Sequence, residues 1–276
     1  MSVSRAPISA LASIRIFGVG LDMDRISGEL GIRPSETHRK GESSPTSRPY
    51  SEDMWRIDSP HGKAEPLEVH LRWLTQVLQP RYDFIRRLRG EYEVSSYCGI
   101  STDASSCRFR LSPDAFGVFA ELGIAMDLTI IFVGESDTPS EADNLAPAQI
   151  PGTTTSFEVV GNPRDVTWVA GKLDLLAPYA SQTGALAESG GAAFWIVSAP
   201  QLQYGSLDTQ LIWLASELSP YASILRSATG SVSSLVRCAL RSDNDICEQS
   251  FSPEGLTFLI SLGIPLEINA TFIAVG

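Results

Sequence analysis

Apolar residues in the first half of the chain change their spacing in a set order, and each change predicts an element. Ser13 to Val19 reads as a strand. Asp22 is placed to cap a short helix through Leu30, which Gly31 ends because glycine accepts the left-handed conformation of a helix exit. An irregular polar loop, Arg33 to Asp53, leads to a second strand around Trp55. Leu67, Leu71, Leu74 and Leu78 then fall at helical spacing, and Pro80 to Arg89 adds a further helical segment before Gly90. Glu91 to Ser101 and Cys107 to Leu111 flank a polar turn and read as a β-hairpin. Ser112-Pro113 starts another helix, which runs to Leu122 and stops at Gly123, and Ala125 to Val133 closes the series as a strand. Five strands with inserted helices predict an α+β fold, a mixed or mainly antiparallel sheet with helices on one face.

The same series recurs. Trp55 and Trp195, Trp73 and Trp213, Pro80 and Pro220, Arg86 and Arg226, Gly90 and Gly230, Cys98 and Cys238, and Cys107 and Cys247 are all 140 residues apart. So are Leu122-Gly123-Ile124 and Leu262-Gly263-Ile264. Nearer the start the better offset is 143, pairing Gly18 with Gly161, Asp22 with Asp165 and Leu30 with Leu173, so a loop before the repeated Trp is three residues shorter in the second copy. A fixed period of this kind predicts two tandem homologous units, residues 10–135 and 153–275. Residues 136–152, rich in Pro, Ser, Thr and acids, read as a linker.

Ser13-Ile14-Arg15-Ile16-Phe17-Gly18, the acidic helix start after it, Ile26 to Leu30 with Gly31, the run Thr37-His38-Arg39-Lys40-Gly41-Glu42 and Trp55 resemble the bacterial domain-of-unknown-function family 4279. The resemblance covers the first unit and, more weakly, the second. It implies an α+β fold and brings no activity with it. Through the family's occurrence in bacteria, it also implies an immunity or accessory role in a toxin or defence system as an expectation.

Charge narrows the classes of function. The net charge of -11 opposes a nucleic-acid partner, since such binders carry a basic footprint. No run reaches the roughly 18 apolar residues of a membrane span, and the short N-terminal apolar stretch, broken by Arg15, does not make a secretory signal. A cytoplasmic protein with four reduced cysteines is expected. The motifs of the serine-nucleophile elbow, the P-loop and the zinc proteases are missing, so no catalytic residue, cofactor or metal is assigned.

Cys98 and Cys107 lie symmetrically about the predicted hairpin turn, either as buried apolar residues or as cross-strand neighbours. His70, whose counterpart is Gln210, reads as a polar surface residue of its helix, and His61 sits in a turn. The repeated tryptophans read as core. Arg81, Arg86, Arg87 and Arg89 complement the end of a helix.

The sharpest candidate is the loop of His38, Arg39, Lys40 and Gly41, with Trp55 nearby. A guanidinium fork, an ammonium and a glycine whose amide can approach closely are tools for holding an anion. The equivalent loop of the second unit, Ser181-Gln182-Thr183-Gly184, keeps only the glycine. Residues 1–140 carry 16 basic and 19 acidic residues, and residues 141–276 carry 5 and 13. The expected function is a non-catalytic tandem-repeat binding protein with a protein partner, monomeric with an internal pseudo-twofold axis. A small-anion or nucleotide ligand held by the basic loop is the alternative.

Overall fold

Strand β1 (Ser9–Gly18) buries Ala12, Ile14 and Ile16, and that alternation sets the inner face of the first sheet. The computed structural model describes residues 9–43, 48–133, 152–173, 193–199, 205–228 and 230–273. The linker segment and the Ser181–Gly184 loop lie outside the described residues.

After β1 come α1 (Met23–Leu30), β2 (Glu36–His38), β3 (Asp53–Asp58), α2 (Leu67–Leu78), α3 (Tyr82–Leu88), β4 (Glu93–Thr102), β5 (Ser106–Leu111), α4 (Pro113–Leu122) and β6 (Met126–Phe132). The later elements are β7 (Gly152–Gly161), α5 (Pro163–Lys172), β8 (Ala193–Ser198), α6 (Leu207–Leu218), α7 (Ala222–Ala228), β9 (Val232–Ser242), β10 (Ile246–Phe251), α8 (Pro253–Leu262) and β11 (Leu266–Phe272). The spans of β3 and β8, α2 and α6, α3 and α7, β5 and β10, α4 and α8, and β6 and β11 are each displaced by 140 residues. The chain is α+β, with two mixed sheets of six and five strands. The sixth strand of the first sheet is β2, formed inside the stretch that reads as irregular loop.

The hairpin expectation is overturned. Although β4 and β5 are joined by a tight turn, β4 lies in the first sheet, ordered β10-β6-β4-β1-β3-β2, and β5 in the second, ordered β5-β11-β9-β7-β8. Each half sends one strand to the other: β5 pairs antiparallel with β11, and β10 with β6. Period-two alternation reads the same whichever sheet receives the strand, so the sequence pattern is blind to the exchange. Reciprocal hydrogen bonds lock the crossing, from the Phe132 amide to the Asp245 carbonyl at 2.8 Å and from the Phe272 amide to the Ser105 carbonyl at 2.7 Å. The rings of Phe132 and Phe272 meet there with centroids 5.7 Å apart. Helices α4 and α8 pack against each other, and α2 and α6 bury their leucine stripes (Leu67, Leu71, Leu74, Leu78; Leu207, Leu211, Leu214, Leu218).

The exchange also separates Cys98 from Cys107, since their strands belong to different sheets. All four cysteines are free and buried. Burial pushes the Cys107 thiol up to about 11 and the Cys238 thiol up to about 12, so neither is a ready nucleophile at neutral pH.

The basic cluster does complement a helix end, but that end includes α4, a separate helix. Arg86 and Arg89 donate to the Glu121 and Leu122 carbonyls at the end of α4, at 2.9 and 2.7 Å. Arg226, at the matching position, donates to Ser261 at the end of α8. These groups meet carbonyls left without helical partners.

His70 is not a surface residue. It is fully buried on α2, and its ring stands edge-on to that of His61 at 5.9 Å. At the matching position the Gln210 amide donates to the carbonyls of Thr153 and Gly205, tying the start of β7 to the start of α6. Burial, with the nearby His61, holds the His70 pKa below its ordinary 6.5. The folded protein therefore refuses a proton that the unfolded chain accepts, so this position leaves stability intact above 6.5 and erodes it as pH falls toward the folded value. His70→Gln, the solution adopted in the second half, is expected to flatten the loss of stability between about pH 7.5 and about pH 5, read by urea melts at both pH values. An unchanged pH slope would show that His70 does not control it.

Candidate functional site

The loop after β2 is built around a carboxylate that the motif reading passed over. Asp53 opens β3 with 5% of its surface exposed. Its carboxylate accepts the Lys40 amide at 2.7 Å, the Leu21 amide at 2.9 Å and the Arg39 guanidinium at 3.3 Å. Arg39 also donates to the Leu21 carbonyl at 2.6 Å, its own amide meets Glu42 at 3.0 Å, and the Gly41 amide bonds the Tyr50 carbonyl at 2.9 Å. Gly41 and Gly20 both have positive φ, +86° and +74°, the turns that bring the two backbone segments onto one side chain. The Lys40 amide, helped by those of Leu21 and Gly20 and by Arg39, outweighs burial and holds the Asp53 carboxyl below its ordinary 3.8.

The anion-binding tools of the loop are therefore closed around the protein's own anion. Arg39 retains an exposed flank, and Lys40 is exposed to solvent. His38 stacks on Tyr50 with centroids 3.5 Å apart and ring planes within 6°. Gly41 shapes the turn. Trp55 is next to the loop only through the backbone, opposite Thr37 in the sheet register. Its side chain is fully buried under α1, where the indole Nε1 donates to Ser27 Oγ at 3.0 Å. His38, Arg39, Lys40 and Gly41 thus come together, whereas Trp55 belongs to the core.

A signal for Asp53 was available in the sequence. The position 140 residues on is Ala193, buried at 1%. The second half also lacks the Val19–Asp22 turn that carries the Leu21 amide, because α5 begins directly after Gly161-Asn162. The basic loop, the turn and the carboxylate are present together in one half, and neither the carboxylate nor the turn has a counterpart in the other.

The remaining charged groups of note lie on the outer face of the second sheet, opposite the face that buries Phe157, Cys238 and Ile268. Arg108 on β5 meets Glu267 on β11 at 2.7 Å, Arg237 on β9 meets the same carboxylate at 2.8 Å, and Arg237 reaches Glu158 on β7 at 3.0 Å. Burial, reinforced by the charge of Glu267, raises the pKa of Glu158 against the pull of Arg237. Burial acts on Glu267 too, but hydrogen bonds from Arg108 and Arg237 prevail and lower its pKa. Among the described residues no group of three or more His, Cys, Asp and Glu side chains is placed to hold a metal, and no helix is long and apolar enough to cross a membrane.

Residues 7–133 match the model of the family described as Domain of unknown function (DUF4279). The matched segment spans β1 through β6, including the clamp on Asp53 and the strand β5 that the second sheet receives. No curated protein and no solved structure matches the chain.

Asp53→Ala strips the Lys40 and Leu21 amides of their acceptor and is expected to cost about 2 to 3 kcal/mol, the worth of a hydrogen bond to a charged group, read by chemical denaturation. In the wild type the clamp's stabilisation is complete above pH 3.8 and is lost as pH falls through the lower folded value, because the folded carboxyl titrates below the unfolded one. The Lys40 amide resonance followed through an acid titration reads that release. A resonance indifferent to acid would show that Asp53 does not hold the loop.

Proposed function

We propose that the chain is a non-catalytic binding protein made of two tandem copies of one DUF4279-like unit, which acts by presenting a surface to a protein partner. One observation carries this reading. Elements at matching positions build the interior in both halves, while groups with chemical potential at the surface differ between them. The leucine stripes, the αL glycines Gly123 and Gly263 and the capping Arg86 and Arg226 agree. The Asp53 clamp and the outer-face charges do not. Such a pattern is what a shared scaffold with individual surfaces produces.

An immunity or accessory role in a bacterial toxin or defence system rests on the family resemblance and belongs to this proposal, as does a cytoplasmic location. The alternative, a small anion or nucleotide on the His38–Gly41 loop, loses ground because the Lys40 amide and part of the Arg39 guanidinium already serve Asp53.

Two measurements test the reading. Native mass spectrometry of the purified protein after exposure to a cellular metabolite pool is expected to show the bare chain, while cross-linking in the source cells is expected to show one dominant protein partner. A retained metabolite or turnover of one would sink it. The duplication itself predicts a second outcome. Residues 1–140 alone leave β6 without its β10 neighbour and β5 without β11, so the fragment is expected to form a symmetric dimer by exchanging β5 between copies, whereas the whole chain is expected to be a monomer. A folded monomeric fragment in light scattering would show that the exchange is dispensable.

A further inference from the structure

The strand exchange creates a surface that neither half encodes alone. On the outer face of the second sheet, Arg108 and Arg110 of β5 stand beside Glu267 of β11, and Arg237 and Arg241 of β9 follow on the next strand. The register sets Arg110 opposite Glu267 and Glu267 opposite Arg237, with Arg241 opposite Thr271. The carboxylates of Glu267 and Glu158 lie buried at the base, with 6% and 8% of their side-chain surface exposed, and brace Arg108 and Arg237 from below. Arg110 and Arg241 are exposed, and neither has an ion-pair partner among the described residues. Between them the face is small and polar, with Thr154, Ser156, Asn269 and Thr271.

The corresponding face of the first sheet has the opposite character. Glu248 stands where Arg108 does, Ser250 for Arg110, Ser101 for Arg241, Asp127 for Glu267 and Arg15 for Glu158. Residues 141–276 contain only five basic residues, two of which, Arg237 and Arg241, are on this face, and the exchanged strand adds two from the first half. Four arginines over two buried glutamates give the face +2 in a chain of -11, so the rest of the molecule carries -13.

We infer that this composite arginine face is the docking surface of the protein, and that its partner is an acidic segment of another protein. The inference rests on the binding-protein reading and supplies its partner chemistry. Planar guanidinium forks match carboxylates, and β5 is the edge strand of its sheet. Arg108 and Arg110, two residues apart on one side of that edge, match acidic side chains at alternate positions of an extended segment laid along it. The patch is local and surrounded by negative charge. A short run of carboxylates fits within it, whereas a nucleic acid, with a phosphate at each ~3.4 Å per strand, would extend into the repulsive remainder.

Binding of a fluorescein-labelled octaglutamate peptide, read by anisotropy at low salt, tests this. The wild type is expected to bind, more weakly as salt rises. Arg110→Ser with Arg241→Ser, which installs the residues of the first sheet, is expected to weaken binding at least about tenfold without altering the melting temperature, since both side chains are exposed and unpaired. The exposed Lys172→Ser, a charge change elsewhere, is expected to leave it unaltered. Wild-type protein that ignores the peptide yet still cross-links to a protein partner overturns the acidic-segment inference and leaves the binding-protein reading standing. Equal affinity in the double variant overturns it as well. A double-stranded oligonucleotide of the same charge that binds more tightly than the peptide overturns the choice of partner.

Discussion

Everything in this molecule depends on the crossing at residues 102–106 and 242–246, where a tight turn that ordinarily folds a strand back on its neighbour instead passes it to the other sheet. A strand leaving its own half removes a neighbour from β6 and from β11. Each vacancy is filled by the reciprocal strand, so each sheet is complete only when both halves are present. The α4–α8 contact and the Phe132–Phe272 pair then close over the crossing. The two reciprocal backbone bonds and the two exchanged ladders hold the crossing in place.

The clamp on Asp53 shows how a motif with the chemistry of a ligand site can be a structural device. A guanidinium, backbone amides and positive-φ glycines gather around a carboxylate, and the carboxylate belongs to β3. Once Asp53 is replaced by alanine at the matching position, a basic loop there would have no anion to meet, and the second half has none. The absence of both there accords with the cost of leaving either a charge or an amide without its partner.

Surface chemistry is where the two halves diverge. The same outer-face positions carry arginine over buried glutamate in one sheet, and aspartate, glutamate and serine with a single arginine in the other. Because the edge strand of each sheet comes from the opposite half, substitutions in β5 alter the second sheet and substitutions in β10 alter the first. The scaffold can stay fixed while the two faces change separately.

Local pattern was legible because local forces decide it. The leucine stripes of α2 and α6, the Ser-Pro starts and glycine ends of α4 and α8, and the buried alternation of β1 and β6 follow from periodicity and capping, and the 140-residue offset located the matching elements. Burial of His70 was not legible, because a polar residue on a helix is placed by what packs above it, here His61 and the chain before Pro66. The partner of the basic loop was hidden for a similar reason: Asp53 is 13 residues from Lys40 in sequence and 2.7 Å away in space. The destination of β5 was beyond the sequence altogether. A strand with one buried face satisfies the same alternation in either sheet, so its partner is chosen by the packing of the whole molecule, and the arginine face assembled across β5, β11 and β9 exists only as a result of that choice.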